Sequence, residues 1–188
     1  MKKIAIFASG SGSNAENIYQ YFKNSDKINI STLVCNNPQA GVIERFIDKD
    51  VEVLLIEKKD LANVEFIQDL KEIDLIVLAG FLVLIPIELI RAFPNKIINI
   101  HPSLLPKYGG KGMYGDHVHK AVIQNQELES GITIHYVNEE FDKGEIIFQA
   151  KCELNANDDL SSLKDKIHQL EMDNFPRIIA EILEKSIE

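Results

Sequence analysis

Short apolar runs recur through the first half of the chain, each followed by a segment whose apolar positions return every three or four residues. The runs cover residues 4–8, 28–35, 51–56, 75–78 and 97–100. Residues 4–8, a short apolar run without alternation, fit a strand buried on both faces of a parallel sheet, and the other runs read as further strands. Between them the spacing predicts helices over about 14–23, 41–49 and 61–72, and Pro86 opens another, a role proline suits at the first helical turn. Ser13 and Glu16 have capping-box spacing and mark the start of the first helix. Strand and helix alternating in this way predict an α/β fold: a doubly wound, Rossmann-like, mostly parallel sheet with helices on both faces.

After His101 the pattern changes. Residues 108–114 form a glycine-rich loop, 116–124 carry a helical pattern, and 131–137 and 145–154 read as two strands joined by 138–144. From residue 160 to about 185, Leu163, Ile167 and Leu170 stand at helical spacing, with an interruption or kink expected before Pro176. No internal repeat or low-complexity linker divides the chain, so one domain over 1–188 is expected.

Composition narrows the class of partner. With 188 residues, 45% hydrophobic and 26% charged, the chain has the make-up of a globular protein with a sizeable core. The formal net charge of −9 argues against nucleic acid or a membrane surface as a general partner. It leaves room for an anionic small molecule, because backbone N–H groups bind phosphate without net positive charge. Cys35 and Cys152 are too few and too far apart for a disulfide framework. No signal-peptide core or membrane-spanning run is present in the sequence, so a cytoplasmic protein with reduced thiols is expected.

Two stretches carry chemistry. Asn99-Ile100-His101-Pro102-Ser103-Leu104-Leu105-Pro106 leaves the fifth strand with two prolines that forbid a ladder or helix. It brings an amide and an imidazole to a strand end, where open α/β sheets hold their ligands. Asn99 and His101, two apart, point to one face, and a neutral donor beside a group titrating near neutrality suits acyl transfer. Gly10-Ser11-Gly12-Ser13-Asn14-Ala15 fits G-x-G-x-x-A after a strand, but no carboxylate follows near Cys35-Asn36-Asn37 and no P-loop Gly-Lys-Ser/Thr follows the glycines. One phosphate of a small substrate fits this loop better than a dinucleotide, and a ligand-free tight turn is the alternative. Asp116-His117-Val118-His119 makes a poor chelate on a helix, where residues two apart do not share a face, and no metal is expected. His135 either supports the site or is a structural histidine.

Asn99 to Pro106, Ser9 to Asn14, Leu78-Ala79-Gly80-Phe81 and Phe141-Asp142-Lys143-Gly144 together resemble the phosphoribosylglycinamide formyltransferase family, from about Ile4 to Pro176. Methionyl-tRNA formyltransferases and formyltetrahydrofolate deformylases look similar but carry a further domain for which this sequence has no room. The resemblance implies transfer of a formyl group from 10-formyltetrahydrofolate, as co-substrate, to the amine of glycinamide ribonucleotide in purine synthesis. It implies catalytic roles for Asn99, His101 and Asp142, with Asp142 raising the His101 pKa toward imidazolium. Ser11, Gly12, Ser13, Asn14 and Glu171 match the ribonucleotide site, although Glu171 alone reads equally as a solvated helix face. Leu82, Val83, Leu84 and Ile85 match one wall of the folate pocket, and Asn138, Glu139, Glu140, Phe141 and Asp142, with Asn99, the rest.

Two departures stand out. Val83 sits where arginine is common, and residues 107–119 are longer and richer in glycine than the family pattern, which can reshape the substrate entrance. The alternatives are a hydrolase releasing formate from the same donor, a formyltransferase acting on another amine such as an amino sugar nucleotide, and a non-catalytic binding module. The expected partners are the two small substrates, with neither nucleic acid nor membrane, in a monomer or homodimer.

Overall fold

The computed structural model describes residues 1–185. Seven strands, β1 (Lys2–Ala8), β2 (Ile28–Cys35), β3 (Glu52–Leu55), β4 (Leu75–Leu78), β5 (Ile97–His101), β6 (Glu129–Tyr136) and β7 (Ile146–Glu153), form one sheet in the order β3-β2-β1-β4-β5-β6-β7. The first five run parallel, and β6 and β7 add an antiparallel hairpin beside β5. Among the described residues six α-helices cover it: α1 (Ser13–Phe22), α2 (Gly41–Phe46), α3 (Val64–Asp69), α4 (Ile87–Ala92), α5 (Asp116–Gln124) and α6 (Leu160–Lys185). Among the described residues no helix is long and apolar enough to cross a membrane.

Alternation along the strands builds two apolar layers. Ile4, Ile6, Leu75, Val77, Ile98 and Ile100 pack with α1, α2, α5 and α6, while Ala5, Phe7, Ile76 and Ile97 pack with α3 and α4. Asn99 and His101 continue the face that Ile97 begins. Strand order reverses between β1 and β4, so the loops leaving their C-terminal ends splay apart and open a crevice there.

Four local expectations are corrected. Ser13 and Glu16 do not form a capping box: α1 starts after Gly12 (φ 79°) without a side-chain cap, and the Glu16 carboxylate is engaged by Arg45 and Lys49 instead. The second helix stops at Phe46. The helix expected over 61–72 divides into a 3-10 turn, Lys58–Ala62, and α3, because Asn63 between them is extended and Glu57 and Asp60 cap the turn reciprocally.

The fourth concerns Pro176, which lies within an unbroken α6. Proline removes the N–H that would serve the carbonyl four residues earlier. That carbonyl, on Met172, accepts from Asn17 Nδ2 of α1 at 2.9 Å, so the helix runs on with its backbone satisfied. Asn14, one turn earlier on α1, donates to Glu171 Oε2 at 2.9 Å. The α1–α6 seam is thus pinned by two amides on one helix face. Asn17→Ala is expected to cost about 1 kcal/mol or more, and less in a Pro176→Ala background that restores the missing N–H. Urea unfolding of the four-member cycle measures the coupling, and additivity would remove this explanation.

Candidate active site

The register of β5 against β6 sets Asn99 opposite His135 and His101 opposite Thr133. Asn99 Nδ2 donates to His135 Nε2 at 3.2 Å, and His135 Nδ1 donates to the Tyr136 carbonyl at 2.8 Å. The carbonyl fixes the tautomer: Nδ1 carries the proton and Nε2 accepts. His101 is held the other way round. Its Nε2–H donates to the Tyr108 carbonyl at 2.8 Å, which leaves Nδ1 facing Asp142 Oδ1 at 3.6 Å. The same carboxylate oxygen lies 3.6 Å from His135 Nε2. Amide, two imidazoles and carboxylate therefore converge as the sequence pairing of Asn99, His101 and Asp142 anticipates, and His135 joins them.

Residues 108–110 clamp this group through their backbone. The Tyr108 carbonyl takes His101, the Gly110 N–H donates to Asp142 Oδ2 at 2.8 Å, and Gly109 passes between. A Cβ on Gly109 would lie 3.2 Å from Asp142 Cβ and press on the end of the Leu105 side chain, so any larger residue here must displace its neighbours. Tyr108 (φ 56°) and Asp142 (φ 55°) both hold left-handed backbone. Such a conformation costs a non-glycine residue about 1–3 kcal/mol and persists where neighbours fix it. Beneath them a buried polar set ties the loop to the sheet: Thr133 Oγ1 donates to the Ser103 carbonyl at 2.6 Å and accepts from the Leu105 N–H at 3.0 Å. Ser103 Oγ donates to the Lys107 carbonyl at 2.7 Å.

The electrostatics overturn one expectation. His101 is only 4% exposed, and burial pulls its pKa below the usual value, outweighing the opposing pull of Asp142 and of the Tyr108 carbonyl. The resting ring is neutral. Burial pushes Asp142 upward, but His135, His101 and the Gly110 N–H together draw its carboxyl below the ordinary range. Desolvation was invisible in the sequence, where only the carboxylate partner could be weighed.

A cavity of about 630 Å³ opens over this group. Leu82, Val83, Leu84 and Ile85 line it, as do Asn138, Glu140, Phe141, Asn14 and Glu171. Glu139 is not among its lining residues, and neither are Ser11, Gly12 and Ser13, which stand at the uncapped start of α1. Gly12 is required there by packing as well as by its positive φ: a Cβ would fall 2.8 Å from the Val42 backbone. Glu171 is not on a solvated face, for its side chain is 15% exposed and burial raises its pKa against the opposing Asn14 and His168 contacts. Among the described residues, Asn14 Oδ1 is buried without a hydrogen-bond partner.

Several contributors escaped the sequence reading. Ser9 Oγ donates to Asn36 Oδ1 at 2.6 Å and accepts from the Leu82 N–H at 3.0 Å, joining the ends of β1 and β2 to the cavity wall of Leu82 to Ile85; the Ser9 to Asn14 stretch gives no sign of these partners. Residues 110–115 of the long loop line the cavity, as does His119, which is buried while His117 is exposed. Among the described residues no group of His, Cys, Asp and Glu is arranged to hold a metal.

Comparison with known proteins follows the same lines. Residues 2–179 match the formyl transferase family model. The chain is 39% identical to the phosphoribosylglycinamide formyltransferase of Bacillus subtilis, with 97% of this chain and 95% of that protein covered. It is 38% identical to the chloroplastic enzyme of that name from Arabidopsis thaliana, across 99% of this chain and 67% of that protein. The crystal structure of phosphoribosylglycinamide formyltransferase from Bacillus halodurans superposes with a TM-score of 0.88 at 36% identity, covering 98% of this chain and 97% of that one.

The neutral His101 links stability to pH. An unfolded histidine takes up a proton near 6.5, whereas the folded one resists until lower pH, so stability is full above that range and declines as pH falls through it. His119, also lowered by burial, acts in the same direction. Urea midpoints are expected to fall between about pH 7.5 and about pH 5.5, with a shallower fall in His101→Ala. An unchanged slope in that variant would contradict the depressed His101 pKa.

Proposed function

The chain belongs to the formyl transferase family, and on that premise we propose that it moves the formyl group of 10-formyltetrahydrofolate to the amine of 5-phosphoribosylglycinamide, a step of purine synthesis. The observation that carries the reading is the convergence of Asn99, His101 and Asp142 at one end of a cavity whose far wall holds Asn14 and Glu171.

The chemistry follows from which atoms are free. One N–H of Asn99 is spent on His135, and the other donates to the formyl oxygen as the amine attacks and negative charge develops there. The bare Nδ1 of His101 takes the proton that the attacking amine sheds. Asp142 beside it stabilises the imidazolium as it forms. The proton then passes to N10, the C–N10 bond breaks, and tetrahydrofolate leaves. His101 thus starts neutral and is charged only in passage, in place of the resting imidazolium expected from the sequence.

The pterin lies against the backbone of Leu82 to Ile85, whose first N–H is held by Ser9, with Asn138 to Asp142 opposite. Glu171 and Asn14 take the ribose, and the open N–H groups at the start of α1, with Ser11, Gly12 and Ser13, take the phosphate. Val83 supplies no charge to the glutamate tail of the folate. Single-domain organisation over 1–188 is part of this reading, supported by one sheet with a core on both faces. So is a cytoplasmic location, supported by two free thiols; a monomer or homodimer suffices, because every proposed site residue comes from one chain.

Incubation with 10-formyltetrahydrofolate is expected to give turnover only when the ribonucleotide is present. Formate release without it would establish the hydrolase, and inertness with both would remove the assignment. Asn99→Ala and Asp142→Asn are each expected to lower kcat about 10²–10³-fold while the far-ultraviolet circular dichroism spectrum is retained. Near-normal turnover in either variant would refute its role.

A further inference from the structure

Tyr108 is engaged at both ends. Inside, its carbonyl accepts from His101 Nε2 at 2.8 Å; outside, its hydroxyl donates to Glu127 Oε1 at 2.8 Å. Glu127 is in turn gripped by Lys107 Nζ, at 3.1 and 3.0 Å from its two oxygens. Tyr108, Glu127 and Lys107 line a second cavity, of about 510 Å³, that shares no lining residue with the first. Glu127 therefore sits outside the substrate space, yet it fixes the side chain of the residue whose backbone fixes the imidazole.

We infer that Glu127 is a positioning residue that selects the tautomer of His101 by holding Tyr108 in its left-handed conformation. The neutral ring has one proton for two nitrogens. With the Tyr108 carbonyl in place the proton stays on Nε2, and Nδ1 is free to accept. If Tyr108 relaxes, the carbonyl withdraws and the proton moves to Nδ1, where Asp142 Oδ1 waits at 3.6 Å to receive the hydrogen bond. A ring in that form presents no lone pair to the amine. The other groups facing His101 cannot replace the carbonyl: Asp142 favours the opposite tautomer, and both ring nitrogens of His135 are engaged, by Asn99 and the Tyr136 carbonyl. The Glu127 carboxyl is held below its ordinary pKa by Lys107 and the tyrosine hydroxyl, so it stays an acceptor at working pH. Lys107 is further tied by Ser103 Oγ at its carbonyl, which fixes the chain entering Tyr108.

The inference rests on the proposed role of His101 as proton acceptor, and the test separates the two. NMR of the labelled histidine ring nitrogens reads the His101 tautomer without substrate, and steady-state kinetics reads the consequence. Glu127→Ala is expected to shift His101 from the Nε2–H toward the Nδ1–H tautomer and to lower kcat about tenfold, the usual scale for an outer partner of a functional imidazole. The KM values for both substrates should stay within about twofold, since Glu127 touches neither. Tyr108→Phe should repeat both effects and serves where Glu127→Ala folds poorly. Glu127→Gln keeps an oxygen acceptor for the phenol and should restore most of kcat and the parent tautomer. Loss of kcat with an unchanged tautomer, or failure of glutamine to rescue, would overturn the inference. A changed tautomer with kcat intact would uphold the linkage and overturn the proton role of His101.

Discussion

A buried imidazole caught between desolvation and a carboxylate governs this site. His101 is sealed among strands and loop, so charging it is costly, and Asp142 lies close enough to lessen that cost without cancelling it. Were Asp142 to win outright, the ring would rest as imidazolium and have no lone pair for an amine. Were burial unopposed, the ring could not hold a proton in transit. The 3.6 Å separation between Nδ1 and Oδ1 is longer than a hydrogen bond in the resting protein. It leaves the contact to tighten when the proton arrives.

The fold supplies what that balance requires. β5 ends at His101 inside the sheet, and its antiparallel neighbour β6 delivers His135 to the same face, opposite Asn99. The loop after β5 turns back so that three consecutive residues present a carbonyl, a missing side chain and an N–H to the imidazole and the carboxylate. The amide pair Asn14 and Asn17 brings α6 against α1, and with it Glu171 to the cavity wall. The groups proposed for catalysis and for holding substrate thus come from separate elements whose relative positions are set by polar contacts. Such contacts are directional, which apolar packing alone is not.

The α/β architecture was legible because its inner strands are buried on both faces and so appear as uninterrupted apolar runs in 4–8 and 75–78, with only Asn99 breaking the run at 97–100. Asn99 and His101 were legible because a period of two needs no knowledge of neighbours. What escaped depended on partners distant in sequence. Glu16 has capping spacing but finds Arg45 and Lys49; Pro176 should break a helix but has Asn17 to serve the orphaned carbonyl. The direction of the His101 shift depends on how much water the fold excludes, and no local motif encodes that. Glu127 carries no motif at all and Ser9 lies in a motif that does not name its partners; only the folded chain shows that Ser9 holds Leu82 and Glu127 holds Tyr108. The long loop at 107–119 was noticed as unusual; its structure gives it two tasks, clamping the imidazole and carboxylate through 108–110 and lining the cavity through 110–115.

The neutrality of resting His101 is the claim on which the proton path stands, and an NMR titration of its ring in the free protein tests it directly. The midpoint should lie below the ordinary value near 6.5, and lower still in Asp142→Asn, where the supporting charge is gone. A midpoint above that value in the parent protein, falling toward it on removal of Asp142, would show that the carboxylate outweighs burial and that the enzyme rests with a charged imidazole.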